Sequence, residues 1–470
     1  MTMKIQESQI EAIVQQVLAQ MNGRVGELPR AAHYRGVFET ADEAVQAAHT
    51  SLTRFSRVSL TQRKAIIQAM REAIIENAQK LAQLAVEETG KGRVSDKVLK
   101  NLLVAEKTPG VEFLPNDAYV GDDGLTLEEC APFGVILSIT PVTNPTATVI
   151  NNAISMVAAG NSVVFAPHPG SQQSSLATMD LLNEAIENAG GPANLLTAVS
   201  EATIEVAQTL MHHPQVSLIC ATGGKAVVDA SLKSGKRAIG AASGNPPVLV
   251  DDTADPIKAA RDIILGHSFD NNMPCTSEKE VVVTAGIADA LMNAFRAASD
   301  VHVLDPALLP QLEKVVLNDR RTGPCPDYLG QNACVILAEL GIAADEEMRA
   351  IVVEVDQDHP FVQRELMLPV LGVVRVRDFA EGVETAVALE KGLRHSAIIH
   401  SSNIYHMSEF GRAINTTVFV KNAPSYAGLG FGGEGHTSFT IAGRTGEGMT
   451  TVRTFTRIRR CTLVGAFSAV

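Results

Sequence analysis

Tryptophan is absent from this chain of 470 residues, and aromatic residues make up only 4% of it. Its cores must therefore be aliphatic. A basic excess is missing too, with a formal net charge of −13. That argues against a nucleic-acid partner, which needs a cationic face to neutralise phosphates. No apolar run reaches the length of a membrane span. The N-terminal stretch lacks the unbroken apolar segment of a secretory leader. Six cysteines, Cys130, Cys220, Cys275, Cys325, Cys334 and Cys461, form no CxxC pair and no zinc spacing. That usage predicts free thiols in a reducing cytoplasm rather than a disulfide framework. His212-His213 lacks the further ligands of a metal site, so no metal is expected. There is no Walker motif, and no GxGxxG stands between a strand and a helix. The run Gly428-Leu429-Gly430-Phe431-Gly432-Gly433-Glu434-Gly435 has no helical pattern after it and reads as a turn-rich loop.

What is present points to two or three α/β domains. The length is too great for one core, and 46% of residues are hydrophobic. Ile10, Ile13, Val14, Val17, Leu18 and Met21 recur at three- and four-residue steps, which predicts a short amphipathic helix within residues 5–21. Gly23, Gly26, Pro29 and Gly36 then break the pattern and make residues 22–36 a linker. Residues 41–106 fit three helices, broken near Ser59 and at Gly90 to Gly92. From residue 134 short apolar strands alternate with helices: strands over 134–140, 162–166, 195–199 and 216–221, and helices over 145–159, 174–189 and 201–211, with another from about Lys225. Such alternation predicts βαβ units and a parallel sheet, with ligands at the carboxyl ends of its strands. A second series begins near Pro246, with strands over 248–250, 280–284, 351–355 and 370–376 and a helix over 254–267. Residues 450–464 alternate like a closing strand or arm. They carry Arg453, Arg457, Arg459 and Arg460, which fits a solvated or inter-subunit edge.

Two residues suggest chemistry by their position. Cys275 lies in Phe269-Asp270-Asn271-Asn272-Met273-Pro274-Cys275-Thr276, a polar loop between a helix and a strand. A thiol there can meet substrate and feel backbone N–H dipoles; it can equally be a small buried filler. Asn144, in Thr140-Pro141-Val142-Thr143-Asn144-Pro145, follows a strand. Its amide could donate to a developing oxyanion or could cap the helix that Pro145 opens.

Five segments in order carry a resemblance: the Asn144 segment, Ala166-Pro167-His168-Pro169, Ala221-Thr222-Gly223-Gly224, Met273-Pro274-Cys275, and Glu365-Leu366-Met367-Leu368-Pro369-Val370. Over nearly the whole chain the pattern resembles the aldehyde dehydrogenase superfamily. It is most similar to the CoA-acylating propionaldehyde and acetaldehyde dehydrogenases of bacterial microcompartments. Ser243-Gly244-Asn245-Pro246-Pro247, Phe419-Val420-Lys421-Asn422, Gly432-Gly433-Glu434-Gly435 and Thr445-Gly446-Glu447-Gly448 carry that closer likeness. The resemblance implies an aldehyde dehydrogenase-like α/β fold. It comprises a variant Rossmann NAD-binding domain without GxGxxG (37–117 and 135–243), an α/β catalytic domain (244–440) and a β oligomerisation arm (118–134 and 441–470). It implies a nucleophile at Cys275 and an oxyanion donor at Asn144. It also implies contacts to NAD from Pro167 and His168 at the adenosine ribose, Thr222, Gly223 and Gly224 at the pyrophosphate, and Glu365 at the nicotinamide ribose.

In hydrolytic relatives a Glu activates water to cleave the acyl-enzyme. Counting along the motif puts that position on Ala241, which cannot act as a base. A persistent thioester favours coenzyme A as acceptor. Ser243, His436, Thr276 and Ser277 depart from the family pattern, which bears on acyl-chain preference rather than reaction class. The expected reaction is ping-pong: a short-chain aldehyde such as propionaldehyde or acetaldehyde, NAD and CoA give acyl-CoA and NADH. Competing readings are a hydrolytic dehydrogenase, against which Ala241 stands, and an inactive cargo or scaffold protein, against which the intact Cys275, Asn144 and Glu365 set stands. The resemblance further implies a homodimer or homotetramer. It also implies a cytoplasmic location inside a microcompartment, with residues 1–21 docking to shell or cargo.

Overall fold

The structure is a computed structural model and describes residues 34–465. The expected helix within residues 5–21 and the linker as far as residue 33 lie outside the described residues.

Three helices open the described chain, Ala41–Phe55, Leu60–Thr89 and Val94–Lys107, at the breaks that the sequence predicts. Thr40 caps the first through a reciprocal bond with Glu43, and Gly90 ends the second in the left-handed conformation. Around them runs the first sheet. Its strands are β1 (Val37–Phe38), β4 (Val135–Thr140), β5 (Ser162–Pro167), β6 (Leu196–Val199), β7 (Val216–Thr222) and β8 (Ala238–Ala241). The missing numbers belong to β2 (Asp117–Gly121) and β3 (Gly124–Pro132), which leave the body as an arm. All pairings in this sheet are parallel, in the order β1-β6-β5-β4-β7-β8. The chain winds from β4 to one side and then crosses back to β7. The switch point between β4 and β7 opens a crevice at their carboxyl ends. The helix Pro145–Ala158, which follows β4, is buried along its whole length. That explains its lack of a polar face. The next predicted helix starts at Ile204 rather than Glu201, because the Thr203 hydroxyl caps it by accepting from Val206 N–H.

The second sheet is also wholly parallel. It contains β9 (Pro247–Val250), β10 (Glu280–Thr284), β11 (Val301–Val303), β12 (Ala350–Glu354), β13 (Val370–Val376), β14 (Ser396–His400) and β15 (Val418–Lys421), in the order β11-β12-β13-β10-β9-β14-β15. The sequence reading missed β11, β14 and β15.

The final predicted strand divides in two. Val452–Phe455 is a single 3-10 turn, and the arm strand proper, β18, runs from Thr456 to Val464. It pairs antiparallel with β3, and β3 with β2. Residues 441–449, expected in the arm, instead form a small hairpin of β16 (Ile441–Ala442) and β17 (Gly448–Met449). It sits beside β8, where Gly240 N–H donates to Thr445 Oγ1 at 3.3 Å. Arg460 pairs with Glu128 across β18 and β3, an exposed contact of small energetic weight.

One buried side chain ties the arm to the body. Asn161 Oδ1 accepts from the N–H groups of Phe133 and Gly134 at 2.8 and 3.0 Å, where β3 returns to β4. Its Nδ2 donates to Met156 O and to Phe455 O at 3.1 and 2.9 Å, where the chain leaves for β18. Asn161→Ala leaves the Phe133 and Gly134 N–H groups and Phe455 O without this partner, while Met156 O keeps the residue 161 N–H, and is expected to cost about 2–4 kcal/mol. Thermal denaturation should show the melting temperature falling by several degrees; an unchanged value would mean that water replaces the amide.

Candidate active site

The two sheets present opposite ends to each other. The first offers the carboxyl ends of β4, β5, β7 and β8. The second offers segments that precede its strands: Ser243 to Asn245 before β9, Cys275 before β10, Glu365 before β13 and His395 before β14. Between them lies a cleft of about 480 Å³. Every candidate from the sequence lines it: Asn144, Pro167, His168, Thr222, Gly223, Gly224, Cys275 and Glu365. Ala241, at the end of β8, lines it as well.

The loop that delivers Cys275 takes an uncommon path. Asp270, Asn271 and Asn272 all have positive φ, at 50°, 53° and 65°. Asp and Asn are the side chains that best tolerate this region, because they bond locally. Here each is also fully buried and fully used. Asn271 Oδ1 accepts from Arg93 Nε at 2.8 Å, and its Nδ2 donates to Gly330 O and Asn332 Oδ1 at 2.9 and 2.8 Å. Asn272 Nδ2 donates to His267 O and Glu278 O, both at 2.9 Å. The Lys279 ammonium closes the turn from below, on Asn272 O (2.9 Å), Asn272 Oδ1 (2.7 Å) and Pro274 O (3.1 Å). Asp270 is held by Lys97 and Lys100, and its backbone N–H donates to Asp96 at 2.8 Å. Gly92, at φ 78°, is needed because a side chain there would overlap the Asp270 carboxylate.

Asn144 heads the helix Pro145–Ala158 yet makes no side-chain cap bond. Capping therefore does not account for it. Instead its Oδ1 accepts from Lys100 Nζ at 2.6 Å, and its Nδ2 donates to Thr143 Oγ1 at 3.2 Å.

Burial pushes the Cys275 thiol up to about 12. The Glu365 charge adds to the rise, while Lys279 and Lys100 oppose it. Burial also raises the Glu365 pKa, against the pull of Lys279, the Ser243 hydroxyl and the Gly244 N–H. Lys279 Nζ lies 3.9 Å from Glu365 Oε1. Among the described residues that line the cleft, Glu365 is the only carboxylate.

The outer cleft suits a dinucleotide. Gly224 is the N-cap of the helix Lys225–Lys233 and offers no side-chain cap bond, so the first N–H groups of that helix are available to a phosphate. Ile204, Ala207 and Val227 supply apolar walls. His168 stands at the exposed rim with Nδ1 engaged by Gly170 N–H at 3.0 Å, which leaves Nε2 for a ligand. Thr222 is turned to the interior, its hydroxyl 2.7 Å from that of Thr440.

Sequence reasoning missed His395. It is buried, its Nδ1 is 2.8 Å from Ser396 Oγ, and its Nε2 has no partner. A Cβ on Gly244 would sit 2.8 Å from the imidazole Cγ and 2.9 Å from Cys275 O, so Gly244 packs closely on both, and His395 lines a cavity that shares Ser243 and Glu365 with the cleft. Burial, reinforced by Lys279, pushes His395 down to about 4 and keeps it neutral. A lone His before a strand carries no signal of this in sequence. The same holds for Lys97, Lys100 and Lys279, which look like ordinary solvated charges. Among the described residues no cluster of metal-ligating side chains occurs, and the six cysteines are unpaired.

The sequence profile of the aldehyde dehydrogenase family matches residues 27–314 and 338–460. The chain is 47% identical over 474 residues to the acetylating acetaldehyde dehydrogenase of Escherichia coli K12, covering 99% of this chain and 100% of that one. It is similar to the solved propionaldehyde dehydrogenase of Rhodopseudomonas palustris with bound CoA and an acylated cysteine. That match has TM-score 0.89 and 47% identity, and covers 92% of this chain and 98% of that one. The propionaldehyde dehydrogenase of the Clostridium phytofermentans fucose utilisation microcompartment matches with TM-score 0.91 and 47% identity, over 93% and 100% of the two chains.

The raised thiol pKa has a direct consequence. Iodoacetamide should label Cys275 of the cofactor-free protein at a rate that climbs with pH throughout the neutral and alkaline range, since the thiolate is the reactive form. A rate that levels off near neutral pH would mean that the thiolate is already formed.

Proposed function

Since the chain belongs to the aldehyde dehydrogenase family, we propose that it oxidises a short-chain aldehyde to acyl-CoA through a thioester on Cys275. The observation that carries this reading is the composition of the cleft. A thiol and an oriented amide meet there, and Ala241 stands where a water-activating base would be needed.

Cys275 first gives its thiol proton to water in the open cleft; the thiolate then attacks the aldehyde carbon, and the carbonyl oxygen becomes an oxyanion. Asn144 Nδ2 and the Cys275 N–H are the donors assigned to it. NAD, when bound, accepts the hydride that leaves the hemithioacetal carbon. Gly223, Gly224 and the helix they open hold its pyrophosphate, Pro167 and His168 its adenosine ribose, and Glu365 its nicotinamide ribose. The product is a thioester on Cys275. CoA sulfur then attacks the thioester carbonyl, and the bond to Cys275 breaks, returning its sulfur. His395 Nε2, neutral and unpartnered, is the acceptor at hand for the CoA thiol proton. Thioester exchange is nearly isoenergetic, so no strong base is required.

Hydrolysis is disfavoured by the same cleft. Glu365 is drawn toward Lys279 rather than free to activate water. The arm supports assembly into a dimer or tetramer, since Tyr119, Val120, Ile458, Leu463 and Val464 are exposed on it. A microcompartment lumen is the proposed location, with residues 1–21 as the docking segment.

With NAD and aldehyde but no CoA, the enzyme should release about one NADH per active site and then stall. Cys275→Ala should abolish that burst while leaving NAD binding intact, and Ala241→Glu should speed the slow hydrolytic phase. Fast steady formation of free acid without CoA would contradict the reading.

Deletion of residues 1–21 should leave kcat/KM and melting temperature unchanged but release a fluorescent fusion from the compartment. A lower melting temperature would make the segment structural instead.

A further inference from the structure

An oxyanion donor made from a side-chain amide works in one orientation only. Turned by half a rotation, Asn144 would present a carbonyl oxygen to the developing negative charge and repel it. The two ends of an amide are almost the same size, so packing alone cannot choose between them. The choice must come from a partner that only one end can accept.

Lys100 is such a partner. An ammonium has three donors and no acceptor, so it can bond only the oxygen end. Lys100 is fully buried, with Nζ 2.6 Å from Asn144 Oδ1. That leaves Nδ2, with one hydrogen toward Thr143 and the other free, at the cleft.

The ammonium is fixed in its turn. Asp270 Oδ2 accepts from Lys100 and, at 2.9 Å, from Lys97. Asp270 Oδ1 accepts from Arg93 N–H at 2.8 Å. The same Asp270 begins the left-handed turn that delivers Cys275. One carboxylate thus sets the nucleophile's loop and, through Lys100, the amide opposite it.

We propose that Lys100 is a positioning residue of the oxyanion hole: its buried ammonium, seated on Asp270, locks the Asn144 amide with its N–H groups toward the reacting carbon and polarises them. This rests on the reading of Asn144 as the oxyanion donor. Polarisation follows because an amide whose oxygen accepts from a cation is a stronger donor at nitrogen. Asp270, Lys97 and Asp96 are the charged groups that face Lys100, with Arg93 and Arg349 behind them. Burial pushes Lys100 down to about 8, with Asp270 opposing. The charge is therefore present at neutral pH and lost above that value.

The test is a double-mutant cycle on the full-length enzyme, read as the pre-steady-state rate of NADH formation with NAD and a short aldehyde and without CoA. Asn144→Ala should slow this step roughly a hundred- to a thousand-fold, and Lys100→Met roughly ten- to a hundred-fold, with NAD affinity unchanged. The double variant should be within about tenfold of Asn144→Ala and far faster than the product of the singles, because Lys100 acts chiefly through Asn144; its direct pull on the Cys275 thiol remains in both backgrounds. Lys97→Met shares Asp270 but does not touch Asn144; it should lower the melting temperature and slow the step far less than Lys100→Met does. If Lys100→Met fails to fold, Lys100→Gln, which lacks the charge, replaces it in the cycle. The ratio of wild-type to Lys100→Gln rates should also shrink as pH rises past about 8.

A Lys100→Met rate near wild type would overturn the proposal. So would a double variant as slow as the product of the singles, or a Lys97→Met variant as slow as Lys100→Met. An unaffected Asn144→Ala enzyme would overturn the oxyanion reading itself, and Lys100 with it.

Discussion

The Asp270 carboxylate holds the reactive centre in place. It lies in the interior with two ammonium groups on one oxygen and a backbone N–H on the other. A buried ion cluster of this kind adds little net stability, because desolvation offsets most of the attraction. Its effect is geometric. Removing Asp270 would leave two buried ammonium groups without their carboxylate, so the arrangement is fixed even where it is not strongly stabilising. The left-handed turn over Asp270, Asn271 and Asn272 can exist only because its side chains are bonded on all sides. That turn in turn aims Cys275.

From that anchor the cleft follows. The first sheet brings the loops after its strands, and the second brings the segments before its own strands. Neither edge alone makes a site. The carboxyl edge supplies a helix N-terminus and apolar walls, which suit a dinucleotide. The amino edge supplies the thiol, a carboxylate tied to Lys279, and a neutral imidazole. A nucleophile set where the two edges meet can be reached from the cofactor side while its backbone stays packed against Gly244.

The chemistry fits this division. A thiol pushed up by burial stays protonated at neutral pH. Cationic side chains are near, but each is already engaged, Lys279 on loop carbonyls and Lys100 on Asp270 and Asn144. Ala241 offers no carboxylate to the cleft, and Glu365, the only carboxylate among the described residues that line it, lies 3.9 Å from Lys279.

Much of this was legible in the chain. Alternating short strands and helices gave the four central strands of the first parallel sheet almost residue by residue, because strand and helix periods are local properties; the edge strands β1 and β8 were not foreseen. Cys275 and Asn144 stood out by their places in the chain, while His168, Thr222 to Gly224 and Glu365 were named only through the family resemblance; the structure brings all of them to one cleft. Ala241 could be recognised as an absence in the same way. Other features were not legible. Lys97, Lys100 and Lys279 read as surface charges, and His395 as an unremarkable residue before a strand. Their meaning depends on burial, and burial is decided by which elements pack together. Asn144 could have been a cap or a donor; only the position of Lys100, 44 residues earlier in the chain, favours the donor. The sequence by itself determined the parts and their order. The tertiary structure alone decided which polar groups lost water, and so which charges had to find each other.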